Sequence, residues 1–209
     1  MFSNTKTKIK ELSSYNFFAT LIVVNVVFIF LGLIFYNGNF NFWSYPFSYL
    51  SDVKTVDGIQ NNISSIIYSF EMFTSGMIMI SLFYKFYKNN YRKKDLFILI
   101  FTFLCSSGFL IACFSPDDSR QYLHIFGSAL VVASLWLIAT KYLFNLKKDL
   151  KQFKYYFWQT ILQFSVFSYG LTYLFRIEPL ATILQKFAFL GLGLALLYAT
   201  YFEKKLKNK

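Results

Sequence analysis

Long apolar runs separated by short polar connections dominate the pattern of this chain. A helix needs about 18 or more largely apolar residues to cross roughly 30 Å of hydrocarbon. Six segments fit, running approximately Phe17–Tyr36, Ile63–Tyr84, Leu96–Phe114, Tyr122–Phe144, Tyr155–Phe175 and Leu180–Phe202. The expected fold is all-α: a polytopic membrane helix bundle with six transmembrane helices, forming one integral membrane domain over residues 1–209. The first run follows Lys6, Lys8 and Lys10 and superficially resembles a secretory signal. Its apolar core is twenty residues long, however, and no small-residue cleavage site follows, so it reads as a retained span. No internal repeat, low-complexity tract or Gly-rich phosphate loop interrupts the pattern.

Composition agrees with this reading. Charged residues are 15% of the chain and hydrophobic residues 56%, against about 25% charge in average globular chains, which argues against an ordinary soluble domain. The 21 Lys and Arg against 10 Asp and Glu leave a net charge of +11, and 17 of these cations fall in alternate connections. They are Lys6, Lys8 and Lys10; then Lys85, Lys88, Arg92, Lys93 and Lys94; then Lys141, Lys147, Lys148, Lys151 and Lys154; then Lys204, Lys205, Lys207 and Lys209. Only Lys54, Arg120 and Arg176 lie on the other side, while Lys186 falls inside the sixth span. Lys and Arg bias in short loops sets orientation, so both termini are expected in the cytoplasm of a multi-pass cell-membrane protein. Spent on topology in this way, the basic excess does not form the single face that nucleic acid requires. Cys105 and Cys113 sit in one apolar run and His124 is the single histidine. Neither a disulfide scaffold nor a His-cluster metal site is expected, and no cofactor is implied.

The informative residues are those that are expensive at membrane depth. Ser64, Tyr68, Glu71 and Ser75 share one helical face of the second span, with Glu71 roughly 12 Å deep. Thr182, Gln185 and Lys186 share a face of the sixth, with Lys186 roughly 9 Å from its outer end. Glu71 and Lys186 have opposite signs and similar depth, so they are expected to meet, directly or through Gln185 or a water. Ser165, Ser168, Thr172 and Arg176 climb the fifth span toward the same outer mouth. In the outer turn Ser119 or Asp118 is expected to cap the following helix, and His124 points from that helix's first turns. Gly127, Ser128 and Ala129 allow a neighbouring helix to come close. All strongly polar features are expected in the outward half, with Phe, Leu and Ile sealing the inward half. The long first outer connection, Asn37 to Asn62, carries Phe40, Phe42, Trp43, Tyr45, Phe47 and Tyr49, a composition that favours a headgroup-level aromatic anchor over a ligand-binding lid.

Simpler readings stand beside these. Glu71 with Lys186 serves either as a structural ion pair or as a substrate- or proton-handling pair. His124 is either a hydrogen-bonded interfacial residue or a general base. Asp117 and Asp118 read most simply as capping and loop charges, and the cysteines as small hydrophobes.

Three short motifs carry a resemblance. Tyr49-Leu50-Ser51-Asp52 lies in the first outer loop, Phe114-Ser115-Pro116-Asp117 ends the third span, and His124-Ile125-Phe126-Gly127-Ser128-Ala129 opens the fourth. With the six-span layout they resemble family 998 of the domains of unknown function and, more distantly, the DRAM and FRAG type membrane proteins of eukaryotes. The family's Pro-Asp turn followed by His and Gly-Ala corresponds to Pro116, Asp117, His124, Gly127 and Ala129. Its Gln-Arg pair corresponds to Gln185-Lys186, where Lys keeps the charge but lacks the planar fork of Arg. The resemblance implies a lipid-facing role.

The leading expectation is a protein that binds a lipid or amphiphile in an outward-opening pocket. Glu71, His124, Arg176, Gln185 and Lys186 would line it, together with Tyr68, Asp52 and Asp117. Lys186 and Arg176 would suit a phosphate or carboxylate head. A proton-coupled or small-solute transporter, a structural or assembly subunit, and a lipid-modifying enzyme with Asp117 or Asp52 orienting His124 are the alternatives. Spacing places no nucleophile for the last of these. Membrane lipids are the expected partners, nucleic acid is not, and a homo-oligomer or membrane partner stays open.

Overall fold

The computed structural model describes residues 13–90 and 95–207, except the side chains of Asn89 and Asn90. Lys6, Lys8, Lys10, Arg92, Lys93, Lys94 and Lys209, which entered the topology argument, lie outside the described residues. Six helices are present: α1 (Ser14–Ile34), α2 (Asn62–Asn90), α3 (Leu96–Cys113), α4 (Asp117–Asn145), α5 (Gln152–Leu174) and α6 (Glu178–Lys207), with no β-strand among the described residues. Five of them, all except α5, are long and apolar enough to cross a membrane. α5 has the length, 23 residues, but Gln159, Gln163 and its Ser, Thr and Tyr residues dilute its apolar character. The helices overrun the apolar runs at their polar ends. α4 starts at Asp117 because Pro116, with its fixed φ and missing N–H, suits a helix start. α2 and α6 continue through basic residues to Asn90 and Lys207.

The helices follow a ring: α1 packs on α2, α2 on α3, α3 on α4, α4 on α6, and α6 closes back on α1. α5 stands outside the ring, packed along α6 and touching α4. Buried Phe18, Leu21, Met79, Leu82, Ile138, Leu143 and Leu196 fill the interior, while Val26, Phe30, Ile66, Phe164 and Leu190 stay exposed on the outside. The α3–α4 contact depends on two glycines. A Cβ at Gly108 would lie 2.7 Å from the Gly127 carbonyl oxygen, and one at Gly127 would lie 2.8 Å from that of Gly108. Backbones this close need residues without side chains.

The α1–α2 connection, residues 35–61, forms a cover over the end of the ring where α2 and α4 begin. It contains a five-residue 3-10 helix, Phe47–Ser51. A small hairpin follows, in which Thr55 N–H donates to Ile59 O (2.8 Å) and Asn61 N–H to Val53 O (2.8 Å), with Gly58 turning at φ 78°. The first residues of α2 hold the cover down. Ser64 Oγ donates to Leu50 O (3.1 Å), Ser65 Oγ to Ser51 O (2.6 Å) and Asn61 Nδ2 to Asp52 O (3.0 Å). Of the aromatic residues of this connection, Phe42 and Trp43 are exposed and Phe40, Tyr45, Phe47 and Tyr49 part exposed, while Tyr36, Leu50 and Ser51 are buried and roof the bundle.

A polar network also crosses the middle of the molecule. Trp136 Nε1 on α4 donates to Gln163 Oε1 on α5 (2.8 Å), and Gln163 Nε2 donates to Thr140 Oγ1 (3.2 Å) and Gln159 Oε1 (3.1 Å). This corrects the expectation that strongly polar groups lie only toward the covered end. Gln159 sits in the first half of α5, and its hydrogen bond offsets the cost of its depth.

Replacing Gly108 by Val should lower stability by about 1–3 kcal/mol or more through overpacking against α4. Gly170→Ala, where a Cβ meets nothing within 4 Å, should be neutral or stabilise by up to about 1 kcal/mol. Thermal unfolding of the two purified variants in detergent checks the contrast.

Candidate functional site beneath the cover

The first N–H groups of a helix have no partner within it, and at α4 the cover supplies the acceptors. Asp117 N–H donates to Ser51 Oγ (3.1 Å) and Asp118 N–H to Asp52 Oδ1 (3.1 Å). In return Asp118 Oδ2 accepts from the N–H groups of Val53 (2.9 Å) and Lys54 (3.2 Å). The expected cap by Asp118 or Ser119 is not formed: Pro116 holds the N-cap position, which puts Asp118 in the first turn with its carboxylate turned to the cover. Burial, and then the neighbouring carboxylates of Asp117 and Asp118, push Asp52 up to about 7.

Seven residues along α4, past a break at Arg120 (φ −139°, ψ 46°), His124 is buried, and its Nδ1 lies 2.7 Å from Ser115 O. A carbonyl only accepts, so Nδ1 carries the proton and donates. In the neutral ring Nε2 is then a bare lone pair. His124 stands at a cavity of about 60 Å3. α4 contributes Ser128 and Val132, each one turn further along; α6 contributes Gln185, Ala188, Phe189 and Leu192; α2 contributes Tyr68, α5 Tyr169, and the cover Phe47 and Ser48. The Tyr68 and His124 rings lie 6.0 Å apart. Gln185 spans the site, accepting from Phe47 N–H (3.1 Å) and reaching Tyr169 Oη at 3.5 Å. Phe47, Ser128, Val132 and Tyr169 are part exposed and Phe189 is exposed, so the cavity is not sealed. The side-chain links between α4 and α5, Trp136 with Gln163 and Phe167 and Thr140 with Gln163, all lie further from the cover.

Of the expected site residues, the structure brings Tyr68, His124 and Gln185 together at the cavity. Glu71 and Lys186 do not meet. α2 and α6 are not neighbours in the ring, and the one ion pair among the described residues is Lys207 with Glu203. Lys186 instead turns to the cover, where Nζ donates to Tyr45 O (3.0 Å) and Thr182 O (3.1 Å) and lies 5.2 Å and 5.1 Å from the Phe42 and Phe47 ring centres. Carbonyl oxygens and aromatic faces satisfy the ammonium in place of a carboxylate. Glu71 is 1% exposed, and its Oε2 is the one buried side-chain N or O atom without a hydrogen-bond partner among the described residues. Arg176 is exposed and occupies the left-handed turn after α5 (φ 55°), where Ile177 N–H donates to Thr172 O and Arg176 N–H to Tyr173 O. Asp52 and Asp117 belong to the clamp above the cavity. Sequence reasoning missed Tyr169 and Phe47 as lining residues. Ser128 was legible as the i+4 neighbour of His124, and Ala188, Phe189 and Leu192 as the face that continues Gln185.

Among the described residues no group of three His, Cys, Asp or Glu is placed to hold a metal ion. No family model, curated protein or solved structure matches the chain.

Two outcomes follow. Because the folded pKa of Asp52 is raised above its unfolded value, the folded state binds more protons between about pH 4 and pH 7. Stability should therefore fall as pH rises through that window, and Asp52→Asn should flatten the fall; hydrogen exchange of residues 50–56 at pH 5 and pH 8 reads it. Glu71→Leu should raise stability by about 1–3 kcal/mol by removing an unpaired buried carboxyl, measured as an increase in Tm.

Proposed function

We propose that the chain is a multi-pass membrane protein of six transmembrane helices with both termini in the cytoplasm. In this reading it receives the polar end of a membrane lipid or other amphiphile in the cavity beneath the cover. The observation that carries it is the cavity itself: mostly apolar walls, unshared polar atoms at Tyr68 and His124, and lining residues on α4, α5, α6 and the cover that stay part exposed or exposed. α5 supports the six-span count, since Phe157, Phe164, Phe167 and Leu171 are exposed along its outer face while Gln159 and Gln163 bond inward. Orientation is supported by Lys85, Lys88, Lys141, Lys147, Lys148, Lys151, Lys154, Lys204, Lys205 and Lys207, which cluster at the helix ends away from the cover.

Size limits what enters. A water needs about 10–15 Å3 of such space, and pockets for whole ligands run to about 300 Å3 or more. The 60 Å3 here suits a few waters or the tip of an amphiphile. Its chain then lies in the gap between α4 and α5, in the outer leaflet. Membership of family 998 of the domains of unknown function remains part of the proposal. It is supported by the work its motif residues do: Pro116 starts α4, Gly127 meets α3, and His124 and Gln185 line the cavity.

Two measurements test this reading. Diazirine-bearing analogues of a monoacylglycerol, a fatty acid and a phosphatidic acid, each applied separately in liposomes, should include one that labels saturably at Ser128, Val132 or Tyr169. Ser128→Trp, which fills the cavity, should reduce that labelling at least about tenfold, whereas even labelling of all lipid-facing helices, unchanged by Ser128→Trp, contradicts the site. For topology, Asp57→Cys should react with an impermeant maleimide in intact cells and Asp149→Cys only after lysis; the reverse pattern overturns the orientation.

A further inference from the structure

We infer that the group taken by the cavity is a neutral hydroxyl, as borne by an acylglycerol or long-chain alcohol, and not an anionic head. The inference rests on the proposed reading of the cavity as an amphiphile site and names the ligand class for it.

No Lys or Arg stands among the cavity's lining residues. Lys186 is the nearest candidate in sequence, one residue from Gln185, but its ammonium is committed to Tyr45 O, Thr182 O and two phenylalanine rings of the cover. Arg176 is exposed in the α5–α6 turn. Glu71, Asp117, Asp52 and Tyr169, all acids, lie within electrostatic reach of the Tyr68 hydroxyl, and the basic side chain beside it is His124, whose ring centre lies 6.0 Å from that of Tyr68. A phosphate or carboxylate entering here would lose its hydration, find no counter-charge and face acidic neighbours. Burial of an unpaired charge is the most expensive case in an apolar site.

The atoms left free in the cavity call for a donor and an acceptor together. Nδ1 of His124 is spent on Ser115 O, so Nε2 is an acceptor in need of a donor. The Gln185 side chain already bridges Phe47 and Tyr169. Tyr68 makes no hydrogen bond among the described residues, and its hydroxyl both donates and accepts. An alcohol meets both demands in one contact, its O–H donating to His124 Nε2 and its oxygen accepting from Tyr68. An ammonium would also donate, but Glu71, the buried carboxyl nearest along α2, does not line the cavity to receive it.

About 60 Å3 accommodates a hydroxyl and its first carbons, and the part-exposed Phe47 and exposed Phe189 stand at the site with rings 6.0 Å apart, apolar surface suited to a chain.

The test is competition against saturable photolabelling by the diazirine monoacylglycerol, with the protein in nanodiscs at pH 8 and tetradecyl competitors of equal chain length. Tetradecanol should compete at least tenfold better than its methyl ether, myristate, tetradecyl phosphate or tetradecylamine. Tyr68→Phe, which keeps the packing, should weaken tetradecanol roughly tenfold, the worth of one hydrogen bond. If the anions or the amine compete as well as the alcohol, or the methyl ether matches it, the hydroxyl assignment is wrong while the amphiphile site stands. If the fatty acid or phosphatidic acid analogue labels the cavity and the monoacylglycerol does not, the assignment is likewise wrong. If no analogue labels saturably, the site itself fails and the assignment with it.

Discussion

The start of α4 is the constraint on which the covered end of the molecule depends. Four N–H groups at any helix start need acceptors from elsewhere, and here the residue before the helix is Pro116, whose side chain accepts nothing. Ser51 and Asp52 provide two acceptors, and Asp118 repays the cover by receiving Val53 and Lys54. This exchange joins two segments some 65 residues apart in sequence. It sets the cover over the ring, fixes the turn through Ser115, and with it the ring orientation of His124. The cost is a buried Asp52 beside two further carboxylates: burial first, then Asp117 and Asp118, pushes it up to about 7.

The cavity's character follows from how the neighbouring charges are used. Lys186 and Gln185 fasten the cover to α6, one through carbonyl oxygens and aromatic faces, the other through a backbone N–H. The cation that would suit an anionic head is thus consumed in construction. What is left in the cavity is an imidazole lone pair, phenol and serine hydroxyls and apolar walls, beside acids. Glu71 remains the unexplained expense within the ring, with one oxygen unsatisfied one turn along α2 from Tyr68.

Most of the helices could be read from the sequence because apolar periodicity and length depend on local composition. The α4 start lies two or three residues before the one set by the expected cap at Asp118 or Ser119, because Pro116 takes the N-cap position and the first turn is a short one that breaks at Arg120 (φ −139°, ψ 46°). His124, Tyr68 and Gln185 were legible as polar groups at depth. The supposed Glu71–Lys186 pair was not, because matching depth says nothing about which helices are neighbours, and the ring separates α2 from α6. The role of the cover was hidden for a similar reason. Its aromatic residues suit a headgroup belt and a roof equally well, and the fastening to α2 runs through backbone carbonyls of Leu50, Ser51 and Asp52, which composition does not mark.

His124 is the single histidine of the chain, which lets one spectroscopic measurement reach the centre of this account. Nitrogen-15 NMR of protein labelled at histidine, in nanodiscs at neutral to mildly alkaline pH, resolves the two ring nitrogens. The account predicts a protonated Nδ1, an unprotonated Nε2, and a shift of Nε2 toward the hydrogen-bonded range when tetradecanol is added but not when its methyl ether is. A protonated Nε2 with a bare Nδ1, or an Nε2 signal indifferent to the alcohol, would contradict it.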